Sequence, residues 1–288
     1  METVRLGKTG REVSRIGFGG APAGLENYLG RFDPKSAQDQ APFIEAIQKA
    51  LEKGITYFDT APGYGEGASE RLFGRALRGH PRGNLFIASK VGAWKEQAVR
   101  PSLEKSLKNL DVAYLDLLQI HGTVFWPHQV DWILKPGGFL DQLEALRDEG
   151  LVRHIGITNE AENPAIHELV LSERFEVLQA CYNFAFQHPW DPKWQCGSLY
   201  EAEKRSMGTV TMRSTTAGVF QKWIRSIRPE DDFDWHRALL QFQFSNPAVN
   251  VVLVGMRSPQ EVEQNVAILE DHSGRVDIPA LHDTKTHT

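Results

Sequence analysis

Residues 55–74 read ITYFDTAPGYGEGASERLFG, and this stretch combines one strand, one loop and the start of one helix. The β-rich apolar run from Ile55 stops at Asp59, where proline and glycine residues interrupt it. Ser69 then predicts a helix N-cap, because apolar residues follow it at helical spacing from Leu72 to Ala76. The stretch is typical of a βα unit, and the fold depends on how often that unit recurs.

Similar units recur along the whole chain. Short β-rich runs, each ending in polar residues or glycine, begin at eight positions: Ile16, Ile55, Leu85, Leu115, His154, Val177, Gly208 and Val251. Helical patterns lie between them. Eight βα units predict a single-domain (β/α)8 TIM barrel. A doubly wound nucleotide-binding domain is the alternative, but the turn GFGGAPAG after the first run does not match its GxGxxG motif.

The two ends of the chain lie outside this pattern. Residues 5–17 read RLGKTGREVSRIG, with Gly10 between two short alternating runs, and predict a β-hairpin ahead of the barrel. Residues 279–288 are mostly polar and predict a flexible tail. We therefore assign residues 1–278 to the barrel and residues 279–288 to the tail.

The composition narrows the range of partners. The formal net charge is −5 and there is no block of Lys and Arg, which argues against nucleic acid or an anionic membrane as the main partner. Neither a signal-peptide pattern nor an apolar run of membrane-spanning length is found, so we expect a cytoplasmic protein that acts on a small molecule. The two cysteines, Cys181 and Cys196, do not fit a zinc-binding pattern. The oligomeric state is not determined by these features.

Four reactive side chains follow the predicted strands. Asp59 and Tyr64 come after the second strand, Lys90 after the third and His121 after the fourth. In a (β/α)8 barrel these positions lie at the C-terminal mouth, where active sites are built. Taken singly, each residue has a structural interpretation, as a turn residue, a surface side chain or a hydrogen-bonded histidine. Their shared position favours a common site.

These residue types together suit a proton donor. A tyrosine hydroxyl has a reference pKa of about 10, so an enzyme that uses it at neutral pH must stabilise the phenolate with a cation. Lys90 can be that cation, and Asp59 would keep the lysine charged. His121 can hydrogen-bond a carbonyl oxygen and orient it.

With these residues in place, the chain resembles the aldo-keto reductases. The matching motifs are GITYFDTAPGYGEGASERLFG, IASK, DLLQIH, GITN and VLVGMRSPQEVEQN, and they span almost the whole chain. The resemblance implies hydride transfer between NAD or NADP and an aldehyde, ketone, alcohol or sugar. It also implies that Tyr64 is the general acid or base and that Asp59, Lys90 and His121 assist it.

The resemblance further implies a set of cofactor-binding residues. They are Thr158, Asn159 and Gln179 at the carboxamide, Met212 at the nicotinamide ring, Arg213 at the pyrophosphate, and Gly255, Arg257, Glu261 and Asn265 towards the adenosine. Met212 stands where the family often has Tyr or Trp, and a core methionine is an equal interpretation.

The cofactor preference depends on Glu261. A carboxylate there would repel the 2′-phosphate of NADP, which favours NAD. Two alternatives stay open, because Glu261 could complete a capping box with Ser258 and Arg257 could bind the phosphate. The closing motif also resembles that of the plant L-galactose dehydrogenases, a sugar-oxidising branch that uses NAD.

The substrate pocket is predicted to have aromatic walls. Trp94, Phe125 and Trp126 lie in loops expected at the barrel mouth, with Phe184 and Trp190 nearby. Such walls suit a sugar, and a small aldehyde or an aromatic ketone fits nearly as well.

Two other functions compete with the oxidoreductase. One is a non-catalytic, cofactor-binding regulatory protein on the same fold, as in the potassium-channel β subunits that resemble this family. The other is a metal-dependent hydrolase that uses His121, Asp59 and His154. The sequence lacks HxH after the first strand, HExxH, GxSxG and a P-loop, and these absences favour the oxidoreductase.

Overall fold

The computed structural model describes residues 1–28, 30–93 and 99–283. Its strands are β1 (Thr3–Arg5), β2 (Glu12–Ser14), β3 (Ile16–Gly19), β4 (Tyr57–Asp59), β5 (Phe86–Gly92), β6 (Leu115–His121), β7 (Val152–Asn159), β8 (Val177–Cys181), β9 (Gly208–Met212) and β10 (Val251–Val254). Its α-helices are α1 (Ala37–Glu52), α2 (Ala68–Ala76), α3 (Val99–Leu110), α4 (Pro127–Leu134), α5 (Phe139–Asp148), α6 (Pro164–Leu171), α7 (Ser198–Lys204), α8 (Val219–Ile227), α9 (Trp235–Ser245), α10 (Pro259–Glu270) and α11 (Ile278–Asp283).

Strands β3 to β10 form a closed parallel barrel. Each strand pairs with the next one along the chain, and β10 pairs with β3 to close the sheet. At least one helix follows every barrel strand. Ahead of the barrel, β1 and β2 pair in antiparallel fashion, with Val4 opposite Val13. The predicted (β/α)8 barrel and its N-terminal hairpin are therefore confirmed.

Alternation along the strands separates an inner layer from an outer one. In β4, Tyr57 belongs to the cluster inside the barrel, whereas Phe58 packs with the residues between strands and helices. The Tyr57 ring stacks on Phe86 of β5, with 5.0 Å between centroids. The next inward-facing residue of β4 is Asp59, so a polar side chain lies directly above the apolar floor of the barrel.

Helix α2 begins differently from the prediction. It starts at Ala68 after Gly67, whose φ is +84°, and Ser69 does not cap it. Ser69 is fully buried, and its hydroxyl donates to the carbonyl oxygen of Gly20 at 2.8 Å. The prediction of Ser69 as N-cap is wrong because a tertiary hydrogen bond uses the hydroxyl group.

The beginning of the predicted tail is helical. Residues 279–283 belong to α11, in which Ile278 and His282 are each 1% exposed. The His282 ring lies edge-on to Trp190, with 5.9 Å between centroids. These two side chains are buried one turn apart, and this burial orders the segment. The rest of the predicted tail lies outside the described residues. Within the described ranges, no helix has both the length and the apolar character needed to cross a bilayer.

Candidate active site

The four side chains predicted as a proton-transfer group lie together at the C-terminal mouth of the barrel. Lys90 Nζ donates to Asp59 Oδ1 at 2.5 Å and to the carbonyl oxygen of Thr60 at 2.8 Å. The same ammonium group lies 5.1 Å from the centroid of the Tyr64 ring. The His121 ring lies edge-on to Tyr64, with 6.0 Å between centroids. The fold thus places the Asp59–Lys90 ion pair next to the Tyr64 phenol, with an imidazole also beside the phenol ring.

Close backbone packing holds Tyr64 in place. A Cβ atom at Gly24 would lie 2.4 Å from the Tyr64 carbonyl oxygen, and one at Gly65 would lie 2.2 Å from the Gly24 carbonyl oxygen. Gly65 also has a φ of +63°, which side-chain-bearing residues rarely adopt. The two glycines therefore allow the loops after β3 and β4 to meet directly and fix the phenol.

The Asp59–Lys90 ion pair is buried beneath the mouth. The two residues are 3% and 1% exposed. Burial raises the pKa of Asp59 above its ordinary value, because it outweighs the opposing effect of Lys90. Burial would lower the pKa of Lys90, but Asp59 and Tyr64 together raise it above its usual value. Lys90 is therefore charged at neutral pH, next to the Tyr64 hydroxyl.

Tyr64 and His121 are both hydrogen-bond donors at neutral pH. Burial raises the pKa of Tyr64, because it exceeds the lowering by the Lys90 ammonium. Burial, and then the charge of Lys90, lowers the pKa of His121 to about 4. The expected effect of Lys90 on the phenol is present, but in this structure burial is larger and the phenol keeps its proton.

A cleft runs from these four residues to the start of α10. Beside Asp59, Tyr64 and His121 it is a cavity of about 260 Å³. A second cavity of about 400 Å³ shares part of the wall, including Gly255. Most of the predicted cofactor residues line the cleft, namely Gln179, Met212, Arg213, Gly255, Arg257, Glu261 and Asn265.

The three residues expected at the carboxamide differ in whether their polar atoms already have hydrogen-bond partners within the protein. Thr158 Oγ1 accepts from the Gly122 N–H at 3.0 Å and donates to the Gly122 carbonyl at 3.1 Å, so it joins β6 to β7. Asn159 Nδ2 donates to the Ala161 carbonyl. By contrast, Asn159 Oδ1 and Gln179 Oε1 are buried without a hydrogen-bond partner in the described part of the chain. Among the described residues, adjacent strands β7 and β8 therefore carry two buried acceptors that lack donors, at the last residue of β7 and in the middle of β8.

Met212 and Arg213 form the wall at the end of β9. Met212 Sδ lies 3.6 Å from Gln179 Nε2, and its side chain also packs against the cluster inside the barrel. Arg213 has a φ of +54° and pairs with Glu160 at 2.8 Å. Strained backbone at a non-glycine residue is common at functional sites.

Glu261 is part of an ion pair. Its carboxylate accepts the Arg257 backbone N–H at 2.8 Å and the Arg257 guanidinium at 2.9 Å. Ser258 caps α10 as predicted, by accepting the Glu261 N–H at 3.3 Å. The Glu261 carboxylate thus hydrogen-bonds the backbone of Arg257, the residue that precedes the N-cap residue Ser258. The Arg257 guanidinium therefore reduces the repulsion that the Glu261 carboxylate was expected to exert on the 2′-phosphate of NADP.

The adenosine end contains residues that the sequence did not single out. Asn265 is 2% exposed, and its Oδ1 atom lies 2.7 Å from His236 Nε2 on α9. Lys222 and Arg225 of α8 line the same cavity. These side chains come from segments far away in the chain, so motif spacing contains no signal for them.

Two of the predicted wall residues, Phe125 and Trp126, lie away from the cavity beside Tyr64. Phe125 is 1% exposed in the core between barrel and helices, where a Cβ at Gly122 would lie 2.2 Å from its ring. Trp126 is 58% exposed and precedes α4. Neither lines the cavity beside Tyr64. Trp94 lies outside the described residues.

The two other aromatic candidates are also used for packing. Trp190 is buried, and its Nε1 donates to Glu203 at 3.1 Å. Phe184 lies edge-on to Phe242, with 5.8 Å between centroids. The cavity beside the phenol is walled instead by Leu25, Tyr28 and Glu160, together with Pro22 and Arg213. Pro22, Leu25 and Tyr28 belong to the segment between β3 and α1, whose path the sequence pattern did not predict.

The metal-site alternative finds no ligand set in the described ranges. No group of three His, Cys, Asp or Glu side chains there could hold a metal ion. His154, its third proposed ligand, hydrogen-bonds Glu176 at 3.0 Å.

The sequence was also compared with known families. The model of the Aldo/keto reductase family matches residues 15–245. The chain belongs to this family. L-galactose dehydrogenase of Arabidopsis thaliana is 27% identical, over 94% of this chain and 89% of that protein. D-threo-aldose 1-dehydrogenase of a Pseudomonas species is 26% identical, over 92% of each.

The barrel of this aldo/keto reductase is shared with solved structures. An aldo-keto reductase from Klebsiella pneumoniae, solved in complex with NADPH, superposes with a TM-score of 0.74 at 22% identity, over 98% of this chain and 94% of that one. As a member of the Aldo/keto reductase family, the protein is an oxidoreductase.

Proposed function

We propose that this aldo/keto reductase interconverts a polar carbonyl compound, such as a sugar, and its alcohol, with Tyr64 as the general acid or base. One observation carries the proposal: two buried acceptors lack a donor among the described residues, Asn159 Oδ1 at the end of β7 and Gln179 Oε1 in the middle of β8. Both belong to the barrel that holds Asp59, Lys90 and Tyr64 at its mouth. A bound cofactor would supply or accept the hydride at its nicotinamide C4.

The residues of the cleft, together with the buried Asn159 at the end of β7, fit a nicotinamide dinucleotide. Asn159 Oδ1 and Gln179 Oε1 would accept the two N–H groups of the carboxamide and so gain the donors they lack. Met212 would cover the ring, and Arg213 would pair with the pyrophosphate. Asn265, held by His236, would face the adenine.

In the reducing direction, Tyr64 would give its phenolic proton to the carbonyl oxygen. The Lys90 ammonium then stabilises the phenolate, and Asp59 keeps the ammonium charged. The neutral His121 ring would donate an N–H to the same oxygen and orient it. In the oxidising direction the phenolate would take the proton back from the alcohol.

The wall of the cavity supports a hydroxyl-rich substrate. Glu160 and Tyr28 bring a carboxylate and a phenol to the cavity beside Tyr64. Such groups form hydrogen bonds to hydroxyls, while Pro22 and Leu25 supply apolar contacts in the same wall. Two relatives are named for sugars, L-galactose and D-threo-aldose, and this agrees with the proposal.

The carboxamide site is tested with an altered cofactor. Oxidised 3-acetylpyridine adenine dinucleotide keeps the ring carbonyl but has no amide N–H, so it should leave Asn159 Oδ1 and Gln179 Oε1 unpaired. We expect it to bind about 10-fold to 100-fold more weakly than NAD, because each unpaired buried acceptor costs about 1–3 kcal/mol and the losses are only partly additive. Quenching of the seven tryptophans measures both dissociation constants. Equal affinities would contradict the assigned carboxamide site, and no binding of NAD(H) or NADP(H) would contradict the proposed function.

The cofactor preference is proposed to be NAD, because a 2′-phosphate would have to compete with Glu261 for Arg257. Glu261→Arg should remove that competition and add a cation, and we expect the ratio of kcat/KM for NADP to that for NAD to rise about 10-fold to 100-fold. Glu263→Arg is the matched control, since it makes the same charge change on α10 at a residue outside the lining of the cleft. An unchanged ratio in Glu261→Arg, or an equal rise in both variants, would rule out this role for Glu261.

A further inference from the structure

The carboxylate of Asp59 receives a second donor in addition to Lys90. Its Oδ2 atom accepts from Gln119 Nε2 at 3.0 Å, while Oδ1 accepts from Lys90 at 2.5 Å. Gln119 is fully buried and lies in β6, two residues before His121. Alternation along the strand places both side chains on the inner face of the barrel. Two different strands thus supply one donor to each oxygen of the carboxylate.

The neighbouring strand leaves space for this glutamine. Gly156 of β7 is paired in register with Gln119. A Cβ atom at Gly156 would lie 3.2 Å from Gln119 Cγ and 3.0 Å from the nearest methyl carbon of Leu117. Any larger residue at position 156 would therefore press on the glutamine side chain and disturb its contact with Asp59.

The glutamine carries a cost for the stability of the barrel. Its Oε1 atom is buried and has no hydrogen-bond partner among the residues that the structure describes. An apolar residue of the same length would avoid this unpaired acceptor. Within the described ranges, the hydrogen bond of the Gln119 side chain is the one that its N–H donates to Asp59. The benefit that offsets the unpaired oxygen is therefore expected at Asp59.

We infer that Gln119 is a positioning residue that keeps the Asp59 carboxylate ionised and oriented, so that Lys90 retains its charge beside Tyr64. The inference rests on the proposed function of Tyr64. Gln119 acts through Asp59, without contact with the reacting atoms. If its N–H is lost, Asp59 takes up a proton more readily, Lys90 loses its counterion and the Tyr64 phenolate loses its cation.

The groups around Asp59 make this effect measurable. Among the described residues, the titratable groups that face it are Lys90 from β5, Tyr64 from the loop after β4, and Tyr57 from β4. His121 senses the same ammonium from β6. Lys90 is the cation of this set, and two neutral amides, Gln119 and Gln179, also lower the pKa of Asp59. Removing one amide donor should therefore shift the protonation of Asp59 without altering the net charge of the site.

The test is Gln119→Met, which keeps the length of the side chain and removes its N–H groups. The Asp59 carboxyl carbon is followed by NMR in protein labelled with 13C-aspartate, and Asp59→Asn identifies the signal. We expect the titration midpoint to rise by about one to two pH units. The pH below which kcat falls should rise by a similar amount. Gln119→Leu is the second variant if the methionine variant does not fold.

Gln243→Met is the matched control. Gln243 is also fully buried, its Nε2 donates to the Tyr182 carbonyl at 2.6 Å, and its Oε1 is likewise unpaired in the described ranges. Loss of the amide N–H groups at position 243 should leave the titration midpoint of Asp59 at its wild-type value. An equal midpoint in wild type and Gln119→Met overturns the inference, whether or not the protein turns over substrate. A shifted midpoint in a protein that transfers no hydride supports the inference and contradicts the proposed function.

Discussion

Tyr64→Phe is expected to lower kcat for carbonyl reduction by about three orders of magnitude while the cofactor dissociation constant changes by less than about twofold. A positioned general acid contributes about 10²-fold to 10⁴-fold to the rate of proton transfer. The phenol lies beside the Lys90 ammonium and a neutral His121, and the substitution removes only its hydroxyl group. The Gly24–Gly65 contact that positions the loop involves backbone atoms and stays intact.

The measurement combines single-turnover hydride transfer with fluorescence titration of the cofactor. Tyr114→Phe is the control, because the Tyr114 ring lies against the guanidinium groups of Arg82 and Arg153, away from the cleft. It should keep the wild-type kcat. If Tyr64→Phe also kept a rate near that of the wild type, another group would be the acid. If both variants lost activity equally, the loss would reflect the fold and leave the chemistry of Tyr64 unassigned.

Lys90→Met is expected to affect both catalysis and stability. The phenolate loses its cation, so kcat should fall at least as far as in Tyr64→Phe. In addition, Asp59 is left buried without its counterion, which should lower the free energy of unfolding at neutral pH by about 3–5 kcal/mol. Asp59 in this variant has a folded-state pKa well above its unfolded value. The variant should therefore be most stable at acid pH, and lose stability as the pH rises from about 4 through that raised pKa.

The double variant Asp59→Asn/Lys90→Met separates the two effects. With both charges removed, no unpaired ion stays in the barrel, and most of the lost stability should return. Turnover should not return, because the phenol still lacks its cation. Urea unfolding at several pH values gives the free energies for the full cycle. Equal instability of the single and double variants would show that Lys90 stabilises the barrel by packing alone.

Local patterns in the chain were sufficient for the architecture and for placing the four proposed catalytic residues at one mouth of the barrel. Each strand alternates or is continuously apolar and each helix has its own periodicity, and both signals are short in range. The C-terminal ends of parallel strands meet at one edge, so Asp59, Lys90 and His121 could be assigned to one mouth before any coordinates were known.

The surroundings of those residues depend on contacts between distant segments. Phe125 lies in a loop yet is buried behind Gly122, and Trp190 is buried against α11. Glu261 forms an ion pair with Arg257, where its position alone suggested repulsion of a phosphate. Whether a side chain faces the cleft depends on how loops from different strands pack against each other, and sequence periodicity contains no information on that packing.

The polar residues beneath the mouth show this difference most clearly. Gln119 lies in the middle of an apolar strand, where its role in holding Asp59 has no signature in the letters DLLQIH. Its meaning depends on a carboxylate 60 residues away and on the space beside Gly156. Strand order and the ends of strands follow from local hydrophobicity, which each segment carries within itself. Hydrogen-bond partners and the walls of the cleft exist only after the barrel has closed and brought those segments together.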